Sequence, residues 1–452
     1  MDSSLISWTR ILHISRYDKK YLHIAMPAAW EGVLMILLSN ADLIMVGTLG
    51  TAAVAAVSIF TQPRMVLLTL ARSLAAVVTL LAAEHYGRGE SASAGSLMKQ
   101  TLFFWGIVLG IAHLIFYRCL DNILIWMGAE SSYLSEALLY SNTALLAVFF
   151  SSMTAILQAV PLGFGETSAV LRINLQGNLF NIIASAFLIF GIGPFPALGV
   201  QGAAVGTVLG AAYSMLETVW FLRREQLFAG DLLPSGAYFK QFIPVFGGVF
   251  SEQGCERIGM VLYTRMAAEL GTIPYAVHAI CMNFCDFYYC FAGGLGKANM
   301  ALAGQSRGKG DFKAWERYLS SGMKWGLIFS VISFLFTVLL REEIFSVYSN
   351  DGEALALGST ILIFTAAVSF PEAHAMICAG VLRGSGKTTQ VAVYSFLSIT
   401  VFRPVITAFF LYYMEWGLTG AWLALAIDQT TRAVCSHFLV RRILSQEKKI
   451  FF

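Results

Sequence analysis

Twelve apolar stretches of roughly 20 to 30 residues follow one another along the chain, and each can cross a hydrocarbon core about 30 Å thick at about 1.5 Å of rise per residue. They cover residues 23–48, 53–84, 98–119, 136–161, 169–192 and 199–222, then 241–268, 274–304, 318–340, 354–381, 389–413 and 418–440. In lipid a backbone N–H or C=O finds no partner outside its own segment, so uninterrupted runs of this length are helices. Only 13% of the residues carry a charge, against about a quarter in a typical soluble chain, and 57% are hydrophobic. The expected fold class is therefore an all-α polytopic membrane protein with twelve transmembrane helices, without a nucleic-acid partner.

Lys and Arg are retained on the cytoplasmic side of a membrane, so their placement orients the chain. Arg10, Arg16, Lys19 and Lys20 precede the first segment, and Arg441, Arg442, Lys448 and Lys449 follow the last. The even-numbered loops carry Arg88 and Lys99, Arg223, Arg224 and Lys240, Arg307, Lys309, Lys313 and Arg317, then Arg383 and Lys387. The odd-numbered loops hold only Arg118 and Arg341. Both termini are expected in the cytoplasm. Arg10, Arg16 and Lys19 break any signal-peptide core, so the first segment is expected to stay as an anchor.

Self-comparison shows that the chain is written twice. Leu49-Gly50-Thr51 recurs 221 positions later as Leu270-Gly271-Thr272, and Gly87-Arg88-Gly89-Glu90 recurs at that shift as Gly308-Lys309-Gly310-Asp311. Gly199-Val200-Gln201-Gly202-Ala203 meets Gly417-Leu418-Thr419-Gly420-Ala421 at a shift of 218. Each repeat holds six segments, an even number, so the two run the same way through the membrane. Two parallel six-helix repeats are expected, related by a pseudo-two-fold along the membrane normal, with an N-lobe over 1–228 and a C-lobe over 229–452.

The same shift bears on GSGKT at residues 384–388, which looks like a phosphate-cradling loop. Its partner, GFGET at 163–167, puts Glu166 where that motif needs its lysine, and no strand precedes either copy. Both read as tight glycine turns on cytoplasmic loops, with Arg383 and Lys387 anchoring theirs to the anionic inner leaflet.

Charges at membrane depth cost several kcal/mol and are rare unless paired or functional. Asp42, fifteen residues after Pro27 in the first segment, is expected near the bilayer midplane with no basic residue three or four positions away, so it is a candidate to exchange a proton or hold a cation. Arg64 and Arg72 on the second segment are its alternative structural partners. Asn174, Asn178, Asn181 and Ser185 form a stripe on the fifth segment, fit either to complete oxygen coordination with Asp42 or to glue helices together. The second half carries Glu252 and Glu256 one turn apart, Asp286 and Lys297, and Glu372 with His374. Glu252 and Glu372 are its functional candidates. Lys297 is a candidate partner for Asp286, and Arg257 for Glu256. Asp428 and Arg432 are spaced as an intrahelical pair.

The seven cysteines fall in or beside apolar segments, against a disulfide framework. Cys281 and Cys285 stand one turn apart, a pair too few to make a metal site on their own, and none is expected there. No nucleophile or metal constellation points to an enzyme. The Met and aromatic residues suit a broad apolar cavity for organic cations.

Over essentially its whole length the chain resembles the MATE (multidrug and toxic compound extrusion) family. The resemblance rests on PAAWEGVLMILLSNADLIMVGTLG with Asp42 fifteen residues after Pro27, on GVQGAAVGT entering the sixth segment, and on GVLRGSGKT after the tenth. It implies secondary active export of organic, often cationic lipophilic compounds across the inner membrane in exchange for inward H⁺ or Na⁺, by alternating access. It also implies a monomer with no cofactor beyond the coupling ion, and a role in antibiotic resistance. Asp42 matches the family's first-helix acid and Asn181 the fifth-helix amide beside it, while Ser185 stands where some members carry an acid. Glu252 and Glu372 match acids of the sodium-coupled bacterial branch, so H⁺ and Na⁺ both stay open, and Na⁺, where it is the coupling ion, has its candidate places at Asp42 and Asn181 or at Glu252 and Glu372. The coupling and substrate candidates are thus Asp42, Asn178, Asn181, Ser185, Glu252, Glu256, Asp286 and Glu372. The alternative is a flippase for a lipid-linked or anionic precursor, which would need a strongly cationic cavity built from residues such as Arg64, Arg72, Arg257, Arg265 and Arg403.

Overall fold

The computed structural model describes residues 14–127, 129, 131–228, 230–346 and 352–451; Arg10 of the basic N-terminal group lies outside them. Helices cover every apolar segment. They are α1 (Arg16–Gly47), α2 (Thr51–Ser58), α3 (Thr61–Arg88), α4 (Ser91–Trp126), α5 (Leu134–Phe164), α6 (Thr167–Phe190), α7 (Val200–Arg224) and α8 (Gly236–Ala268). There follow α9 (Thr272–Lys309), α10 (Phe312–Leu339), α11 (Arg341–Ser346), α12 (Gly352–Gly384), α13 (Thr388–Ser395), α14 (Arg403–Ala408) and α15 (Gly417–Phe451). Among the described residues, nine spans are long and apolar enough to cross a membrane. The long helices that fall short are α8, α9 and α15, and these carry Glu252, Glu256, Asp286, Lys297, Asp428 and Arg432.

The chain divides into two compact units, Val33–Phe246 and the remainder from Gly247 onward together with the residues up to Gly32, so the division runs through α1 and α8. In the first unit α3 packs on α5 and α6 on α7. Its core gathers Val46, Phe60, Leu120, Tyr140, Ile189 and Ala203. In the second, α9 packs on α12 and α12 on α15. Tyr21, Leu295, Trp315, Cys378, Val391 and Val440 form one of its clusters, and Tyr263, Phe345, Ile361 and Trp422 another. On α4 the face bearing Ile107, Ile111, Leu114 and Ile115 is more than half exposed, as suits lipid contact.

Close helix contacts here depend on small residues, because lipid gives apolar side chains no reason to leave it and packing must hold the helices together. At Gly163 on α5 a Cβ would press on the backbone of Thr79 and Ala83 of α3. At Gly384 on α12, 221 residues later, it would press on the backbone of Met300 and Gly304 of α9, themselves 221 residues beyond Thr79 and Ala83.

The turns match as well. Gly165 closes α5 with φ 91°, its N–H bonding to Leu162 O at 3.1 Å and the Glu166 N–H to Pro161 O at 2.8 Å. Gly386 does the same after α12 with φ 75°, through Arg383 O at 2.8 Å and Leu382 O at 2.9 Å. This paired pattern caps a helix C-terminus and needs a left-handed residue, which glycine adopts without a Cβ penalty. The N–H groups of Gly386 and Lys387, which a phosphate loop would aim at its ligand, are therefore spent on the preceding helix.

The eleventh segment is irregular. Phe396–Phe402 and Phe409–Tyr413 are π-helical and flank α14, where Pro404 lacks the N–H that a regular helix would bond. These wide turns place Arg403 against α15.

Candidate functional site

Asp42 sits on α1 fifteen residues beyond Pro27, inside the Val33–Phe246 unit, and α6 supplies its partner. The Asn181 amide donates to Asp42 Oδ2 at 2.7 Å, and the Ser185 hydroxyl donates to Asn181 Oδ1 at 3.0 Å. Asn181 and Ser185 are both buried, one turn apart on the face of α6 that α7 covers. That contact is tight because Gly206 and Gly210 of α7 leave no room for a side chain against Ser185 and Asn181. The serine thus fixes the amide, and the amide fixes one oxygen of the acid.

The other oxygen, Asp42 Oδ1, is buried without a hydrogen-bond partner. Arg64 on α3 acts on Asp42 through its charge, and the buried Tyr140 of α5 feels both. No ion pair joins Arg64 to Asp42 among the described residues, and Arg64 Nε is itself buried without a partner. An acid with one fixed and one free oxygen, beside an arginine that is near but not bonded, can take up and release a cation at little structural cost.

The asparagine stripe divides. Asn174 exchanges hydrogen bonds with Gln158 of α5 at 2.8 and 3.2 Å, and Gln158 also donates to Thr218 of α7 at 3.2 Å. That network ties three helices. Asn178 donates to Asn174 O on its own helix at 2.7 Å and to Met35 Sδ at 3.1 Å. Asn181 and Ser185 alone of the stripe are joined to the acid.

In the second unit the acids separate into three settings. Glu252 on α8 is buried and gripped by the Arg383 guanidinium, with Nε donating to Oε2 at 3.1 Å and an Nη2 contact to Oε1. Arg383 therefore faces an acid in the protein rather than the inner leaflet, because a buried carboxylate outweighs screened lipid charge; Lys387 stays exposed. Asp428 on α15 pairs with Arg403, whose Nε donates to Oδ2 at 2.9 Å, and Ser398 also donates to it. Its partner is thus not the predicted Arg432, because Arg403 and Ser398 face its carboxylate; Arg432, whose Nε is buried without a hydrogen-bond partner, acts on Glu372 through its charge.

Glu372 on α12 is the third case. It is buried, its Oε2 lacks a hydrogen-bond partner, and the charges acting on it include Arg432, Arg403, Asp286 and Glu256. Glu256 acts on Arg432 and Tyr289. Asp286 faces the charge of Arg257, where Lys297 had been the expected partner.

Cys281 and Cys285 are buried free thiols. Among the described residues, the group able to hold a metal is elsewhere and is one that sequence reasoning misses: His374 and Cys378 one turn apart on α12, with His437 from α15. The one-turn His and Cys spacing was visible, but the third ligand is 63 residues downstream of His374.

A family model named MatE matches the chain twice, over residues 27–187 and 249–409. The chain is 26% identical over 91% of its length to a Thermotoga maritima protein designated "Probable multidrug resistance protein NorM", covering 89% of that protein. It is 22% identical to the Pseudomonas aeruginosa "Multidrug resistance protein PmpM", over 100% of this chain and 97% of that one. A solved MATE transporter of Vibrio cholerae superposes with a TM-score of 0.89 at 16% identity, covering 96% of this chain and 99% of that one. With Asp42 and Glu372 both inside the matched segments, and with the matches spanning most of the described helices, this chain is a member of the MatE family of membrane transporters.

Proposed function

We propose that the protein is a secondary active multidrug efflux antiporter that exports organic, often cationic and lipophilic compounds in exchange for an inward cation by alternating access. The observation that carries this is Asp42, an acid near the C-terminal end of α1 with one oxygen fixed by Asn181 and the other free of hydrogen bonds. Relatives named as multidrug resistance proteins align over nearly the whole chain.

The coupling cation is H⁺ in this reading. A proton needs the single free acceptor that Asp42 Oδ1 offers, whereas Na⁺ takes several oxygens at once, and Asn181 turns its N–H rather than its oxygen toward the acid. Glu252 is likewise closed to Na⁺, since Arg383 reaches both of its oxygens. Glu372, with its free Oε2, is a second proton carrier. Competition between substrate and proton for the same conformational equilibrium couples the fluxes, because a ligand shifts two states only through unequal affinity.

Twelve spans in two parallel six-helix lobes, 1–228 and 229–452, complete the proposal, with both termini in the cytoplasm of an inner-membrane monomer. The two family-model matches, offset by 222 residues, and the paired turns at Gly165 and Gly386 support the duplication. The flippase reading is weaker because Arg403 is neutralised by Asp428, Arg265 lies 3.9 Å from Glu269, and Arg257 faces Asp286.

The test is uptake of an organic cation into inverted vesicles with the pH and Na⁺ gradients imposed separately. Uptake is expected with the pH gradient alone and is expected to stop when that gradient is collapsed. Dependence on Na⁺ alone rejects proton coupling. Wild-type rates in Asp42→Asn proteoliposomes reject Asp42 as the coupling group.

A further inference from the structure

We propose that His374, Cys378 and His437 form a binding site for one metal cation of the zinc class, independent of the transport reading above. His374 and Cys378 are four residues apart on α12 and so share one helical face, and α15 brings His437 against that face. His374 Nε2 and His437 Nδ1 are 3.1 Å apart, and the three donor atoms all lie within 4.8 Å of one another.

A hydrogen bond between the two imidazoles accounts for the nitrogens. It does not account for the third member, a fully buried thiol converging on the same point. Zinc bonds of about 2.0–2.1 Å to nitrogen and about 2.3 Å to sulfur place neighbouring ligands somewhat over 3 Å apart, so the two nitrogens already stand near that spacing. The sulfur closes the remaining gap with a side-chain adjustment of the order of 1 Å.

The donor set selects the ion. Two imidazoles and one thiol are borderline to soft ligands, suited to Zn²⁺ or Cd²⁺, and they offer nothing to Na⁺, Mg²⁺ or Ca²⁺, which take oxygen. Binding replaces the thiol proton by the metal, so one proton leaves as the metal–sulfur bond forms. Ser436 stands beside the thiol as a hydrogen-bonding neighbour of the kind that orients a ligand. With three protein ligands, a fourth position remains for water.

The site would staple α12 to α15. His374 is two residues beyond Glu372 and His437 five beyond Arg432, so an occupied site would hold those two helices in register where their buried charges act on each other. A metal there would accordingly slow any movement of α12 against α15.

The experiment uses the full-length protein purified in detergent, stripped with chelator, then titrated with Zn²⁺ by calorimetry and with Cd²⁺ by ultraviolet absorption. The wild type and Cys435→Ser, which alters a thiol outside the triad, are expected to take up one ion per chain and to show the cadmium–thiolate band. Cys378→Ser is expected to lose the band, and both Cys378→Ser and His437→Gln to bind zinc about tenfold more weakly or worse. No uptake by the wild type, or an unchanged band and affinity in Cys378→Ser, overturns the proposal. A zinc-dependent rise in the thermal midpoint of the stripped wild type that is absent from His437→Gln decides the matter if that variant does not fold. That difference sustains the site, and an unchanged wild-type midpoint with zinc rejects it.

Discussion

Arg383 reaches both oxygens of Glu252, while Asn181 reaches one oxygen of Asp42 and leaves the other bare. The first arrangement is expensive to disturb and the second is built to change state. Truncating Arg383→Ala strands a buried carboxylate and is expected to cost about 3–5 kcal/mol, seen as a large fall in the thermal midpoint. The double variant Glu252→Met with Arg383→Met removes both charges and should regain most of the loss; a double variant no more stable than Arg383→Ala would show that the pair is not what holds the site. At Asp42 the neighbours predict unequal effects. Asn181→Ala removes the donor to Oδ2 and should shift the pH profile of transport as well as slow it, whereas Asn178→Ala, which loses bonds to Asn174 O and Met35 Sδ and none to the acid, should leave the profile in place. Equal profiles for the two variants in proteoliposomes would detach Asn181 from the coupling acid.

Glycine does two different things for the helices. Gly163 and Gly384 permit contact between backbones, so Gly163→Ala and Gly384→Ala are each expected to cost about 1–3 kcal/mol by overpacking. Gly110, whose added Cβ meets nothing within 4 Å, is the control: Gly110→Ala should be neutral or slightly stabilising, because it lowers the freedom of the unfolded helix. Thermal unfolding in detergent checks all three, and a Gly110→Ala loss as large as the other two would refute the packing account. These positions were legible in part. The shift of 221 pairs Gly163 with Gly384 in the sequence, but that both are crossing points needed the neighbouring helices. The π-helical turns of the eleventh segment left no such trace beyond Pro404, and they decide where Arg403 points.

Across the whole chain, the basic even-numbered loops predict which side each turn faces. In inverted and right-side-out vesicles of a cysteine-free background, Lys387→Cys should react with an impermeant thiol reagent from the cytoplasmic side only. Arg341→Cys should react from the opposite side only. Labelling of both from one side would break the proposed orientation and with it the even span count. Nine spans among the described residues qualify on apolarity, and the long helices that do not carry Glu252, Glu256, Asp286, Lys297, Asp428 and Arg432. Polar content therefore blurs the transmembrane signal on those three helices, whereas Glu372 and Arg403 lie in spans that still qualify.

The sequence by itself determined the solvent of each helix, the places where helices stop, and the spacing that repeats at 221, because apolar run length and glycine positions act locally on the backbone. It also pointed to Asp42, since an acid without a basic residue on its own helix face is conspicuous in an apolar run. Only the tertiary structure decided which acids are paired. Arg383 lies 131 residues from Glu252, Arg403 lies 25 from Asp428, and His437 lies 63 from His374. Local spacing instead suggested Asp428 with Arg432 and Glu256 with Arg257. A buried charge bonds to whatever the facing helix presents, and which helix faces it is settled by packing over distances that no local pattern records.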